Sequence, residues 1–294
     1  MKVSANGITL EVEDHGSPSG EPLVLIMGLG MQLIAWHEDL VQMLVDKGFR
    51  VLRFDNRDIG LSHSFDHLGV PNLGIEALKH VVGLQVKSPY SLGDMANDTA
   101  GLLDVFGIKQ AHICGASMGG MVAQQLALRH PHRVKSLTLM MTSSGSRKLS
   151  QPSLKVRSAM LSSPDDPKSF DSIVAHYVSI YKLIGSPGYP SGDEWLTRRL
   201  SMSVRRSYRP QGTARQLTAI AADGDRSSLL PQIKAPTQVL HGLQDPLVPV
   251  DAGKQLATLI PGAKLDLVEG MGHDLPTALY PRFAAGISAA AARA

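Results

Sequence analysis

A serine flanked by glycines is the strongest candidate for chemistry in this chain. Ser117 is the centre of Gly115-Ala-Ser117-Met-Gly119, the only G-x-S-x-G pattern in the 294 residues. An apolar run ending at Cys114 precedes the pattern, and a predicted helix from about 118 to 129 follows it. A sharp strand-to-helix turn strains the serine backbone and leaves room only for glycine two residues to either side. The pattern therefore predicts a nucleophile presented at a helix N-terminus.

A base and an acid follow this serine in the order that a triad requires. A serine hydroxyl is a weak nucleophile until a base removes its proton, and the base needs an acid to orient it. Asp245 follows the predicted strand 237–240, and His273 follows the predicted strand 264–268. Because the carboxyl ends of parallel strands share one edge of a sheet, all three side chains are expected there. We predict Ser117, Asp245 and His273 as catalytic residues.

Other acids and bases near these positions fit the pattern less well. Asp223 and Asp225 are interpreted as turn residues and Asp251 as the start of a helix, since none of them closes a strand. His241 ends a strand and is interpreted as a hydrogen-bonded histidine at the edge of the core. Cys114 lies inside a strand and is interpreted as a small buried hydrophobe.

The sequence predicts neither a cofactor nor a metal. Gly28-x-Gly30 follows a strand, but a dinucleotide-binding fingerprint needs a third glycine at position 33, which is Leu33. His130-Pro-His132 lacks an accompanying acid or cysteine and is interpreted as an exposed helix terminus. The chain has no H-E-x-x-H pattern and no P-loop lysine.

The elements that must position these residues alternate between strand and helix. Short apolar runs are separated by amphipathic stretches from Leu10 to Met141, and strands resume after Pro231. Ser91 with Asp94 forms a capping box that opens a helix ending before Gly107. This alternation predicts an α/β fold with a mostly parallel central sheet flanked by helices. We expect two core parts, residues 1–142 and 231–294, separated by a helical cap over 143–230.

The predicted cap differs from the core in composition. Residues 143–230 are rich in Ser, Pro and Arg, and their 13 Lys and Arg outnumber 7 Asp and Glu. Apolar residues of 171–184 share one helical face, and capping boxes at 191–194 and 213–216 predict two more helices. Together with 193–207, these helices are expected to cover the pocket. The excess of basic residues suggests either a solvated surface or a weak preference for anionic substrates.

Composition narrows the class of protein. The chain is 43% hydrophobic with a formal charge of +3, and its single cysteine cannot form an internal disulfide. No apolar run reaches the roughly 18 residues of a membrane span, and the N-terminus lacks a signal-peptide core. Aromatic residues make up 5% and basic residues form no stripe with them, which disfavours nucleic-acid binding. We expect a soluble cytoplasmic protein, while its oligomeric state stays open.

Four sequence blocks resemble the α/β-hydrolase superfamily over nearly the whole chain. They are 27–30, 55–62, 115–120 and the loops of Asp245 and His273, and their style is similar to serine esterases of the aclacinomycin methylesterase type. The resemblance implies an oxyanion hole from the backbone N–H groups of Leu29 and Met118. Met27 stands where the common first block has histidine. Asp55-Asn-Arg57 is expected to brace its loop.

These residues together predict a metal-free serine hydrolase acting on a small-molecule carboxylic ester. Amidase, thioesterase, C–C hydrolase and perhydrolase chemistry remain open, because each can use the same triad. A ligand receptor built on the hydrolase fold is the alternative from another class. It would show tight binding with negligible turnover.

Overall fold

One eight-stranded sheet forms the centre of the protein. The computed structural model describes residues 1–294 except for the side chain of His80. The strands are β1 Lys2–Ala5, β2 Ile8–His15, β3 Glu21–Ile26, β4 Phe49–Phe54, β5 Ala111–Ala116, β6 Val134–Met140, β7 Thr237–Gly242 and β8 Lys264–Val268. Their spatial order is β1-β2-β4-β3-β5-β6-β7-β8. Only β1–β2 and β2–β4 pair antiparallel. The predicted α/β fold with a mostly parallel sheet is confirmed.

Ten α-helices connect or cover these strands. They are α1 Glu38–Asp46, α2 Leu73–Val82, α3 Leu92–Val105, α4 Met118–Arg129, α5 Leu154–Leu161, α6 Phe170–Ile184, α7 Asp193–Arg206, α8 Pro210–Asp223, α9 Asp251–Leu259 and α10 Tyr280–Ala291. Helix α3 begins with the predicted capping box, in which the Ser91 hydroxyl and the Asp94 carboxylate bond each other's backbone N–H. No helix of the described chain is long and apolar enough to cross a bilayer.

The central strands are apolar throughout because both faces of the sheet are covered. Along β3, Val24 and Ile26 belong to a core packed under α3 and α4, whereas Leu23 and Leu25 belong to a second core under α1 and α10. Successive side chains of a strand point to opposite faces, so a doubly covered strand shows no polar alternation. Because helices cover both faces of the sheet, the loops at its carboxyl edge, where the parallel strands end, are left for functional side chains.

An N-terminal hairpin was not predicted from the sequence. Strands β1 and β2 pair through a two-residue turn at Asn6 and Gly7, whose φ angles are 49° and 75°. Asn-Gly is the strongest short sequence signal for such a turn, because both residues tolerate positive φ. Ile8, Leu10 and Val12 also alternate with polar residues along β2, so both the turn and the strand signal of this hairpin were present in the sequence.

Four helices, α5 to α8, and no strand lie between β6 and β7 in the described chain. We call residues 143–230 the helical segment, and its boundaries as a separate domain stay a prediction. Both capping boxes expected here are wrong. Helix α7 has Gly192 at its N-cap with no side-chain bond. Helix α8 begins earlier than expected, at Pro210, which presets a helical φ. Thr213 therefore lies inside α8 and bonds the Arg209 carbonyl.

Eight of the 13 basic residues of the helical segment are exposed, as expected for a solvated surface, whereas three of its arginines bond to the core. Arg215 is fully buried and donates to both carboxylate oxygens of Asp58, at 2.8 Å each. Arg206 donates to Asp55 at 2.7 Å, and Arg209 donates to the Ser62 carbonyl at 2.8 Å. Three arginines thus attach the helical segment to the loop that follows β4. Two of them, Arg206 and Arg215, pair with acids of the core that lie far away in sequence.

Candidate active site

Ser117 occupies a strained turn between β5 and α4. Its φ and ψ angles are 53° and −120°, a region that non-glycine residues rarely adopt. Two bonds hold this conformation: the Ser117 N–H donates to the Met140 carbonyl at 2.9 Å, and the Thr142 hydroxyl donates to the Ser117 carbonyl at 2.7 Å. The strain is maintained by the end of β6, which places the hydroxyl above the carboxyl edge of the sheet.

The two glycines of the motif are required by close backbone contacts. A Cβ atom at Gly115 would overlap the carbonyl of Gly119, and one at Gly119 would overlap the carbonyl of Ile26. Neither obstacle is a flexible side chain, so larger residues would push α4 away from β3 and β5. The sequence interpretation of these glycines is consistent with this packing.

The three predicted catalytic side chains form one chain of hydrogen bonds. Nε2 of His273 lies 3.0 Å from Oγ of Ser117, and Nδ1 lies 2.7 Å from Oδ2 of Asp245. Because a carboxylate only accepts, Nδ1 carries the ring proton and Nε2 is left to accept from the serine hydroxyl. His273 and Asp245 are buried, while Ser117 is partly exposed. A base is thus aimed at a partly exposed hydroxyl.

Asp245 is fixed by the turn that contains it. Its Oδ1 accepts from the backbone N–H groups of Leu247 and Val248 at 2.9 and 2.7 Å, which leaves Oδ2 for His273. His241 lies beside it, with Nε2 3.7 Å from Oδ2 of Asp245 and 2.7 Å from the Val248 carbonyl. Since a carbonyl only accepts, His241 donates from Nε2. Burial lowers the pKa of His241 and favours this neutral form.

Two backbone N–H groups near the serine have no acceptor among the described residues: those of Leu29 and Met118. Both residues line the cavity that contains Ser117. Gly28 lies against the serine, since a Cβ there would stand 3.1 Å from Cβ of Ser117. This arrangement supports the oxyanion hole that the sequence resemblance implies.

The loop that carries Leu29 is braced by polar side chains from elsewhere in the chain. Asp55 accepts from the Leu33 N–H at 2.7 Å, and Asn56 donates to the Met27 carbonyl at 2.9 Å. Gln216 of the helical segment accepts from the Gly30 N–H at 2.9 Å. The block at 55–57 was expected to brace its own loop, which it does where Asp55 accepts from the Leu61 N–H at 2.8 Å. The contacts to Leu33 and Met27 extend this role to a second loop, and Arg57 forms a buried ion pair with Asp98.

Comparison with known proteins agrees with this geometry. The sequence profile of the alpha/beta hydrolase fold family matches residues 21–276. The chain belongs to the α/β-hydrolase fold family.

Relatives of this α/β hydrolase have several hydrolytic activities. It is 26% identical to rhodomycin D methylesterase DauP of Streptomyces sp. (strain C5), over 98% of this chain and 96% of that protein. It is 29% identical to a putative carbamate hydrolase RutD of Yersinia enterocolitica, over 90% and 84%. Among solved structures, the meta-cleavage product hydrolase of Pseudomonas fluorescens IP01 has a TM-score of 0.76 at 21% identity, over 100% and 97%. The predicted resemblance to methylesterases is confirmed, and the relatives support a carboxylic ester hydrolase.

The predicted catalytic residues of this α/β hydrolase lie beside a large, mostly apolar cavity. Its volume is about 1040 Å³, and Ser117 and His273 lie in its wall. Tyr177, Tyr181 and Trp195 of the helical segment line it, as the sequence predicted, and methionines line the wall near the serine. A site of this size accommodates a drug-sized molecule with room to spare.

Polar groups in the cavity wall were not anticipated from the sequence. Arg199 lines the cavity, donates to the Ile34 carbonyl at 2.5 Å, and has no carboxylate within 4 Å among the described residues. Asp274 and Ser186 also line it and bond each other. None of these three residues belongs to a sequence motif. Only the position of Asp274, directly after His273, could have indicated that it lies near the site.

The other residues considered from the sequence, Cys114 and the histidines near 130, form no hydrogen bond with Ser117, His273 or Asp245. Cys114 is fully buried within β5 against Met140, and burial raises the pKa of its thiol. His130 ends α4 and bonds Asn97 at 2.8 Å. Within the described residues, no group of three His, Cys, Asp or Glu side chains has metal-binding geometry.

Proposed function

We propose that this protein is a serine hydrolase that cleaves carboxylic esters through Ser117, His273 and Asp245. The observation that carries the proposal is the continuous hydrogen-bonded chain of these three side chains at the wall of an apolar cavity. A nucleophile, a base in reach of it and an acid that orients the base are the parts that acyl transfer needs. The methylesterase relatives support the same chemistry.

Acylation begins when His273 removes the Ser117 proton as Oγ attacks the ester carbonyl. The negative charge that develops on the carbonyl oxygen is stabilised by the N–H groups of Leu29 and Met118, and the N-terminus of α4 adds its partial positive charge. One such donor contributes roughly 3 kcal/mol to transition-state stabilisation. Asp245 stabilises the imidazolium. The tetrahedral intermediate then collapses, and His273 returns the proton to the departing alcohol.

Deacylation repeats these steps with water as the nucleophile. His273 removes a proton from water as its oxygen attacks the acyl-enzyme, and the same two N–H groups hold the second oxyanion. Collapse releases the carboxylic acid and returns the proton to Ser117. One ester and one water thus give one acid and one alcohol, and the enzyme is restored.

We infer a bulky, mostly apolar substrate from the cavity. A volume of about 1040 Å³ is far larger than a short acyl ester needs. The relative named rhodomycin D methylesterase suggests a methyl ester of a large acid as the first substrate class to test. Binding such a molecule buries much apolar surface, whereas a polar side chain of the wall such as Arg199 fixes its orientation.

Carbamate hydrolysis is the second candidate, because a carbamate hydrolase is among the relatives at 29% identity. Attack at a carbamate carbonyl uses the same nucleophile, base and oxyanion donors. Amide, thioester and C–C bond cleavage and perhydrolysis share them as well. The choice between them depends on the substrate and must be measured. The receptor hypothesis predicts ligand binding without turnover.

The decisive experiment measures hydrolysis of p-nitrophenyl esters from acetate to palmitate, methyl esters of polycyclic aromatic acids, and aryl carbamates. Ser117→Ala is the control, because it removes the nucleophile and leaves every backbone contact of the turn in place. We expect Ser117-dependent turnover, highest for bulky esters. Labelling with a fluorophosphonate reports the activated serine independently of substrate fit.

Three outcomes bear on the proposal. Ester turnover that is lost in Ser117→Ala supports it, and turnover of carbamates alone would replace the ester by the second candidate. A wild-type protein that neither turns over any substrate nor labels at Ser117 would refute the hydrolase mechanism and favour the receptor.

A further inference from the structure

The loop that carries His273 is held from two sides: Gln244 of the core bonds Gly270 and Met271, whereas the helical segment bonds Gly272 and His273. The His273 N–H donates to the carbonyl of Ile184, the last residue of α6, at 2.7 Å. The preceding N–H, of Gly272, donates to Oγ of Ser186 at 2.9 Å. Among the described residues, these two N–H groups have no acceptor in the core. The backbone N–H groups of His273 and of the residue before it therefore depend on residues more than 80 positions away in sequence.

Ser186 connects the two sides of the histidine. Its hydroxyl accepts from the Gly272 N–H and donates to Oδ1 of Asp274, so one oxygen bridges the residues before and after His273. Ser186 is 3% exposed, and the Asp274 carboxylate faces the cavity. Burial raises the pKa of Asp274, while hydrogen bonds from Ser186 oppose that shift. A serine in this position can satisfy both partners because a hydroxyl donates once and accepts as well.

The two segments also touch through their backbones. A Cβ atom at Gly272 would overlap the carbonyl of Gly185, and one at Gly188 would come within 2.7 Å of Cα of Gly270. The Gly188 N–H donates to the Gly270 carbonyl at 2.9 Å. Two glycine pairs thus allow residues 184–188 and 270–274 to lie side by side without intervening side chains. Contact this close transmits a displacement of one segment directly to the other.

We propose that Ser186 and Asp274 are positioning residues that hold the catalytic imidazole of His273 in line with Ser117. This proposal rests on the proposed serine-hydrolase function. The junction at residues 184–188 is accordingly a fixed part of the catalytic unit. Any opening of the cavity for a substrate takes place elsewhere in the helical segment, because displacing this junction would withdraw the base from the nucleophile.

Removing the bridge should impair chemistry more than binding. In Ser186→Ala, the Gly272 N–H loses its acceptor and Asp274 its donor, so we expect kcat to fall about 10- to 100-fold. Misplacing a reacting group by an ångström has an effect of that order. KM should stay within about twofold, because the altered hydroxyl acts on the base rather than on the substrate. The rate of fluorophosphonate labelling should fall in parallel with kcat.

The test compares Ser186→Ala with Ser179→Ala, an exposed serine of α6 whose hydroxyl bonds only the His176 carbonyl. Activity is expressed per site titrated with fluorophosphonate, so a loss of folded protein cannot imitate a slower reaction. Asp274→Ala should reproduce the defect of Ser186→Ala. Asp274→Asn keeps an oxygen that accepts from the Ser186 hydroxyl and should restore kcat to within a few-fold of wild type.

The double variant Ser186→Ala with Asp274→Ala should be no slower than either single variant, because residues that act through one bridge are not additive. A kcat per titrated site and a labelling rate within twofold of Ser179→Ala would overturn the positioning role. If Ser186→Ala yields no folded protein, the positioning role is tested by comparing Asp274→Ala with Asp274→Asn. Equal kcat values in these two variants would refute the role. Failure of the wild type to label refutes the proposed function instead.

Discussion

Arg215 of α8 and Asp58 of the loop after β4 form a fully buried, two-pronged ion pair. Both N–H···O distances are 2.8 Å, although the residues are 157 positions apart in sequence. Arg215 also donates to Asp66 and to the Gly69 carbonyl, so its guanidinium is well satisfied. The pair joins the helical segment to the loop near the nucleophile. Its geometry makes the attachment specific as well as strong.

Breaking this pair should destabilise the protein markedly. Arg215→Met leaves the Asp58 carboxylate buried without its cation, and the free energy of unfolding should fall by about 3–5 kcal/mol. Urea denaturation followed by circular dichroism measures the change. Arg198→Met is the matched control, since Arg198 forms an exposed pair with Glu194 on α7 and should change stability by less than about 1 kcal/mol. Equal losses of unfolding free energy in the two variants would show that the buried pair stabilises the protein no more than the exposed one.

Replacing Asp245 by asparagine should nearly abolish turnover without unfolding the site. The amide oxygen of the Asp245→Asn side chain can still accept from the N–H groups of Leu247 and Val248, which turns its NH₂ toward Nδ1 of His273. The imidazole must then carry its proton on Nε2, where it cannot accept from Ser117. We expect kcat to fall by about 10⁴-fold, the size of this effect in Ser-His-Asp proteases.

The control for this change is Asp266→Asn, which removes a carboxylate of β8 paired with Arg282 far from the nucleophile. Its kcat should match wild type. Steady-state kinetics and fluorophosphonate labelling give the comparison, and an Asp245→Asn enzyme that keeps a tenth of wild-type kcat would contradict the role of Asp245.

A methyl group at position 28 should obstruct the oxyanion site. Gly28→Ala would place the new Cβ 3.1 Å from Cβ and 3.7 Å from Oγ of Ser117, a tight contact that a shift of a few tenths of an ångström relieves. The space between the nucleophile and the Leu29 N–H would shrink, so we expect kcat/KM to drop about 10- to 100-fold with little loss of stability. Gly192→Ala adds a methyl with no atom within 4 Å and should leave kcat/KM unchanged. Equal kinetics for both variants would exclude crowding at Gly28.

Buried His241 should make stability depend on pH. Burial lowers its pKa below the ordinary 6.5, although Asp245 and the Val248 carbonyl oppose the shift and His273 lies nearby. Below pH 6.5 the unfolded chain therefore binds a proton that the folded protein does not. Stability is full above that pH and decreases as the pH falls below it, by at most about 1.4 kcal/mol per pH unit for one proton.

The check is the melting temperature of wild type and His241→Gln between pH 7.5 and 5.5. The decrease in melting temperature from pH 7.5 to pH 5.5 should be smaller in His241→Gln than in wild type, because the variant has no imidazole to protonate at this site. His132→Gln, which replaces an exposed histidine, should keep the wild-type pH dependence. An unchanged pH dependence in His241→Gln would assign the acid sensitivity to other groups.

The positions of the three predicted catalytic residues could be inferred from the sequence because the signals are local. The glycines around Ser117 are required by a turn of five residues, and Asp245 and His273 each follow directly after an apolar strand. Parallel strands bring such positions to one edge whatever the details of packing. The alternation of elements predicted the α/β fold for the same reason, whereas the hairpin at Asn6 and Gly7 was not predicted although its turn and the alternation in β2 are local signals too.

Only the tertiary structure decided which distant groups support that site. The chain offers 29 Lys and Arg and 26 Asp and Glu, and nothing local distinguishes the buried partners Arg215 and Asp58 from exposed ones. The sequence likewise does not distinguish Ser186 from other serines. Its role appears only because the residues after α6 pack against the loop of His273. Backbone turns and strand ends are set by neighbouring residues, so the sequence by itself brought Ser117, His273 and Asp245 to one edge of the sheet. Long-range polar contacts exist only once packing has brought their elements together, and their burial then makes each one specific.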